Sequence, residues 1–168
     1  IARWRQLMHD PYFLDFARYN AWANERLYAA CGKLAEAEYM RPRQSFFGSI
    51  HATLNHLLVG DRIWLGRIES RPVKLALDQI LYGDFLALSV ARVAEDQRLV
   101  RVVEALERSA LDRPLDYLTT RGERQRTPLR RVLAHLFNHQ THHRGQVHDM
   151  LSQTEVPPPP LDLLLFLR

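Results

Sequence analysis

With only one cysteine in its 168 residues, Cys31, the chain can form no intramolecular disulfide, and it fits a reducing compartment. No apolar run approaches the length of a membrane span and no secretory leader pattern is visible, so the expected address is the cytoplasm. Arg41, Arg43, Arg121, Arg124, Arg126, Arg130 and Arg131 are scattered rather than gathered into a run. A net charge of +4 without a dense basic stretch or interleaved aromatics argues against nucleic acid as a partner. Internal repeats and linker-like segments are lacking too, which at this length predicts one domain over residues 1–168. Hydrophobic residues at 46% and charged residues at 25% are ordinary for a globular chain with one sizeable core.

What is there reads as four long helices. Asp10-Pro11 gives an N-cap followed by proline at the first helical position. Phe13, Phe16, Ala17, Ala23 and Leu27 then repeat at helical spacing to about Lys33. Asn20 and Asn24 fall on that stripe, where buried amides need partners, the alternative being a half-exposed Asn24. Residues 34–45 read as a connection. A second helix, about Phe46 to Glu69, carries two apolar faces and so packs on more than one neighbour. Ser70 to Gly83 reads as a loop with room for one helical turn. The third helix, about Asp84 to Ser109, carries Leu86, Val90 and Val93, then Leu99, Val102, Val103 and Leu106. Residues 115–126 predict a small hairpin turning near Gly122. Thr127-Pro128 repeats the opening signal and starts a fourth helix that ends near Gln153, before the four prolines 157–160. The apolar tail Leu161 to Leu167 is expected to lie back along the helices, or else to serve a partner chain. These elements predict an all-α, antiparallel-type four-helix bundle, a fold whose core commonly houses metal sites built from facing helices.

Four of the eight histidines lie within residues 135–143 of the fourth helix. At roughly 100° per residue, His139 and His143 fall one turn apart at the edge of its apolar stripe. His135 lies further off, and His142 and His148 point to either side. An i, i+4 histidine pair is one way for a helix to supply two metal ligands, although a hydrogen-bonded boundary histidine is commoner. His56, on the second helix among small aliphatics, needs a metal, a carbonyl or a water. His51 is nearly opposite it. Cys31, at the end of the first helix, reads as a buried hydrophobe. Asp61 lies roughly 140° round the helix from His56 and so is no ligand beside it. It is expected to bind Arg62, another helix or the fourth helix. Arg144 reads as a structural salt bridge or cap, and Gly145 as a point of close helix approach. No carboxylate, serine or cysteine is placed beside the histidines as base or nucleophile.

Several stretches together resemble the DinB/YfiT-like family of metalloenzymes. They are Tyr19-Asn20-Ala21-Trp22-Ala23-Asn24, Leu54-Asn55-His56 through Asp61-Arg62-Ile63-Trp64, Asn138-His139-Gln140-Thr141-His142-His143-Arg144-Gly145-Gln146 and the tail ending Phe166-Leu167-Arg168. The resemblance implies a four-helix bundle holding a divalent metal, zinc or nickel, on His56, His139 and His143. Three neutral imidazoles leave an ion its full charge and an open position, as in a catalytic site. The function implied first is a metal-dependent enzyme of the thiol-dependent S-transferase kind, using a low-molecular-weight thiol, with metal-dependent hydrolysis second. The alternative is a non-catalytic metal-binding stress-response protein. Family members pair as homodimers, so a homodimer is expected; the small-molecule substrate is left open.

Overall fold

The computed structural model describes residues 11–168. The expected cap at Asp10 lies outside the described residues. The four long helices are α1 (Pro11–Cys31), α3 (Ile50–Ile68), α4 (Phe85–Ala105) and α5 (Leu129–Ser152). Short helices α2 (Glu36–Met40) and α6 (Leu163–Phe166) and a hairpin of β1 (Pro114–Leu118) and β2 (Arg124–Pro128) complete the order. The strands are antiparallel, with Asp116 opposite Arg126, and the turn passes through Gly122 at φ +84°. No helix among the described residues is long and apolar enough to cross a membrane.

Helix boundaries follow the caps. α3 starts at Ile50 rather than Phe46, because Gly48 turns the chain at φ +78° and the Ser49 hydroxyl accepts the Ala52 N–H. The Asp84 carboxylate caps α4 in the same way, accepting the Ala87 N–H at 2.8 Å. α4 ends at Ala105, short of the expected Ser109, and a 3₁₀ turn follows at Arg108–Ala110. Thr127 is not a cap: it pairs with Leu115 in the hairpin, and Pro128 precedes α5 without a side-chain cap. The connection 34–45 contains α2, and 69–84 contains turns but no helix.

α1 and α3 each pack against both α4 and α5. Two apolar clusters occupy the ends of this assembly. One gathers Leu27, Ile50, Leu54, Leu88 and Met150, and the other Phe13, Leu65, Leu99, Leu133 and Phe137. Following each helix from one cluster to the other gives its sense. α1 opposes α4 and α3 opposes α5, whereas α3 and α4 run the same way. A parallel pair needs a connection that retraces the helix. The loop after α3 does so, with Arg71 N–H on the Gly66 carbonyl and the N–H groups of Leu81 and Tyr82 on Asn55 Oδ1.

In the first half of α4 the apolar residues do not face inward. Leu86, Val90 and Val93 are 74%, 65% and 55% exposed, while Arg92, Glu95 and Asp96 are buried beside Leu88 and Leu99. Hydrophobic spacing misleads here because the inner face carries charges that find partners inside. The tail does fold back on α1: the Tyr19 hydroxyl donates to the Leu161 carbonyl at 2.6 Å, and Phe166 meets the rings of Tyr19 and Trp22.

Candidate metal centre

His56 projects from α3, and His139 and His143 project one turn apart from α5. A ligating nitrogen of each lies within 4.8 Å of the other two. The rings stand 4.4–4.9 Å apart between centroids, and His56 Nε2 is 3.0 Å from His139 Nε2. Helices carrying ordinary side chains at the contact would not bring these rings so close. Gly60, one turn after His56, opens the gap: a Cβ there would stand 2.9 Å from His139 Cε1. The close approach expected at Gly145 is absent, since that glycine is exposed with nothing near its missing Cβ.

Carbonyl oxygens hold two of the rings from behind. His56 Nδ1–H donates to the Leu77 carbonyl at 2.7 Å, from the retracing loop. His143 Nδ1–H donates to Gln146 Oε1 at 2.7 Å. A carbonyl can only accept, so both rings carry the proton on Nδ1 and turn a bare Nε2 inward. The proton between His56 and His139 therefore resides on His139 Nε2. Phe47 stacks on His56 with centroids 3.9 Å apart and meets the edge of His143 at 5.5 Å.

Burial lowers the pKa of all three imidazoles. For His139 the neighbouring imidazoles add to burial and bring it to about 3. The bonds to Leu77 and Gln146 pull His56 and His143 part of the way back. All three are thus neutral donors near pH 7. Among the described residues no carboxylate or thiol joins them in the cluster. Two uncharged nitrogens with inward lone pairs, on His56 and His143, and a third on His139 once its proton moves to Nδ1, fit a divalent ion that keeps its full charge and an open position.

Beneath the histidines lies a buried polar layer, between the two apolar clusters on every long helix. The Arg92 guanidinium of α4 reaches Asp61 of α3 at 2.6 Å and Asp96 at 2.9 Å. Asp61 also accepts from Gln140 Nε2 of α5. Asn20 and Asn24 of α1 are both buried and donate to Asp96. Burial pushes the Asp96 carboxyl up to about 6, against the pull of Arg92. Among the described residues Arg144 forms no salt bridge. Its guanidinium is buried, donates to the amide oxygens of Asn20 and Gln140, and lies 5.3 Å over the Tyr19 ring. A ring face and neutral oxygens take the place of the expected carboxylate because Asp96 and Asp61 are already engaged with Arg92.

Of the other described histidines, His51 and His148 lie apart, while His135 and His142 adjoin the cluster, 6.0 Å from His139 and 4.8 Å from His143 between centroids. His51 bonds the Tyr39 hydroxyl at 3.0 Å, and His148 Nε2–H donates to the Pro159 carbonyl at 2.9 Å. His142 is exposed, and His135 lies against Trp64 with centroids 5.2 Å apart. Cys31 is buried, which pushes its thiol up to about 12 and leaves it a packing residue. Gly60, Leu77 and Phe47 were not recognisable as parts of the site from the sequence. Their roles exist only across helices, and a Phe-Phe-Gly turn before a helix carries no signal of its own.

A family model described as the DinB family matches residues 8–168. The chain is also 27% identical over 164 residues to Protein DinB of Bacillus subtilis (strain 168), covering 91% of this chain and 94% of that one. A match running almost from end to end, over a mostly helical fold with a histidine cluster between α3 and α5, places this chain in the DinB family.

Proposed function

We propose that the chain is a metal-dependent enzyme on a four-helix bundle, with one zinc or nickel ion held by His56, His139 and His143. The observation that carries this reading is the convergence of three neutral imidazoles, two of them aimed by carbonyl oxygens behind them. A divalent ion there supplies Lewis acidity that favours the anionic form of a water or thiol at its open position. The family supports a low-molecular-weight thiol as co-substrate and S-transfer as the reaction, with hydrolysis as the second choice. The chain's own residues orient the imidazoles, and Phe47 and the loop carbonyl of Leu77 cover one side of them.

The test is elemental analysis of protein purified without a nickel column, wild type beside His139→Ala, followed by thiol-conjugation assays with the ion found. Near-stoichiometric metal that disappears in the variant supports the reading. Wild type that takes up neither zinc nor nickel overturns it. A non-catalytic clasp is the second reading, favoured by the lack, among the described residues, of any carboxylate in the cluster to act as base. It predicts that His56→Ala lowers stability while no conjugation activity is found in wild type.

We also propose a homodimer in the cytoplasm, for which exposed Leu86, Val90 and Val93 offer an apolar surface. Sedimentation of Val90→Glu/Val93→Glu as a monomer beside a dimeric wild type supports it; a monomeric wild type removes it.

A further inference from the structure

The seam between α3 and α5 continues beyond the histidines. From His139 the ring of His135 is 6.0 Å away, Trp64 is 5.2 Å further, and Tyr117 of β1 another 5.2 Å, between centroids. Arg67 closes this run, its guanidinium 4.4 Å over Trp64 and 4.9 Å over Tyr117. There a cleft of about 1070 Å³ opens between the hairpin, the end of α3 and the first part of the retracing loop. Its wall includes Ile63, seven residues after His56 on the same helix face, or about 10 Å along the axis.

The cleft is basic. Lys74 stands on the loop wall and Arg121 and Arg124 on the hairpin wall, all exposed and none ion-paired among the described residues. Arg67 lies half-buried between the walls. The one carboxylate in the lining, Asp116, faces Arg126 at 3.7 Å. Four cations from three segments, with one carboxylate already engaged, make a site for an anion rather than a solvated face of mixed sign. The retracing loop that forms one wall is also the loop whose Leu77 carbonyl aims His56.

We propose that this cleft binds the oxoanion end, a carboxylate or a phosphate, of an elongated small substrate whose reacting end lies at the three histidines. The inference rests on the metal reading above and adds to it the charge and length of the substrate. Tyr117, where the aromatic run reaches the cleft, supplies a ring in its lining.

The test follows backbone amide shifts of residues 73–75 and 119–125 in the ion-free full-length chain, titrated separately with inorganic phosphate and with glutarate. Saturable shifts are expected. Arg121→Glu/Arg124→Glu should weaken binding about tenfold, a change of ~1.4 kcal/mol. Lys74→Glu, on the opposite wall, should weaken it in the same direction, and raised salt should weaken it in wild type. His139→Ala should bind within about twofold of wild type, because the cleft lies apart from the ion. Tighter phosphate identifies a phosphate ester as the natural group, and tighter glutarate a carboxylate. Shifts that never saturate, or that are unchanged by reversing both arginines, overturn the proposal. Wild type that binds the anion but takes up no zinc brings down the metal reading alone; zinc uptake without anion binding brings down the cleft alone.

Discussion

Gly60 and His139 occupy one space between them, the imidazole standing where a side chain on Gly60 would be. A Cβ 2.9 Å from the ring must displace either the ring or the helix. Gly60→Ala is therefore expected to weaken zinc binding by roughly tenfold or more, the scale seen when support behind a ligand is lost. Gly145→Ala is the control, since its missing Cβ meets nothing and glycine within a helix costs about 0.5–1 kcal/mol relative to alanine. It should raise stability and leave zinc affinity alone. Competition against a chelator and urea midpoints read the two effects; unchanged zinc affinity in Gly60→Ala would show that the gap has no bearing on the ion.

Gln146 acts through His143. Removing its carbonyl in Gln146→Ala frees the ring to rotate and to exchange its proton between nitrogens, and zinc affinity should drop roughly 10- to 100-fold. His142→Ala, on an exposed ring beside the same residue, should change it by less than about threefold. The same chelator competition measures both. Equal losses in the two variants would point to a ligand set other than the one described.

Stability of the ion-free protein should fall on the acid side. The pKa values of His56, His139 and His143 lie below the ordinary imidazole value in the native state. The unfolded chain gains protons as pH drops through about 6.5, while native His139 resists until about 3. Their contribution is thus complete above about 6.5 and is lost progressively below it, by at most about 1.4 kcal/mol per pH unit for each ring. Asp96, pushed up to about 6, works in the opposite sense, because the native carboxyl keeps a proton that the unfolded chain releases from about pH 4 upward. Urea midpoints of chelator-treated wild type and His139→Asn at pH 7 and pH 5 separate these effects. Wild type should lose more than the variant between the two pH values, and parallel losses would contradict the assignment.

Arg92→Met should be among the most damaging single changes. It leaves Asp61 and Asp96 facing each other inside the protein without their cation, at a cost of about 3–5 kcal/mol. Replacing all three groups as Asp61→Asn/Arg92→Met/Asp96→Asn removes the stranded charges and should recover a large part of that loss. Urea unfolding checks the pair. A triple variant as unstable as the single one would mean that shape, rather than charge, sets the requirement.

What could be seen in the sequence was whatever depends on a single helix. The i, i+4 spacing of His139 and His143, the turn near Gly122 and the stop before the prolines at 157–160 are local, and the structure follows them closely. Facing was legible where the buried side is apolar, as along α5, and could not be read on α4, whose apolar phase drifts and where Arg92 and Asp96 look like surface residues until Asp61, Asn20 and Asn24 arrive from other helices. Gly145 drew attention because it adjoins the histidine motif, yet the glycine that matters is Gly60. No pattern within one segment distinguishes a glycine that a neighbour's ring requires from one that meets only water.

The buried polar layer has a mechanical consequence for the site above it. Asn20, Asp61, Gln140 and the Arg92–Asp96 pair form one connected network from four different helices, Asn20 joining it through Asp96. Sliding α5 along α3 by a single turn, about 5.4 Å, would part Gln140 from Asp61 and carry Arg144 away from Asn20. Apolar clusters alone tolerate such a shift far better, because one leucine fits much like the next. The axial level of His56 relative to His139 and His143 is thereby set before any ion arrives. An arriving ion meets a spacing dictated by the protein and need not draw two helices into line, so its choice among metals rests on how well each accepts that spacing.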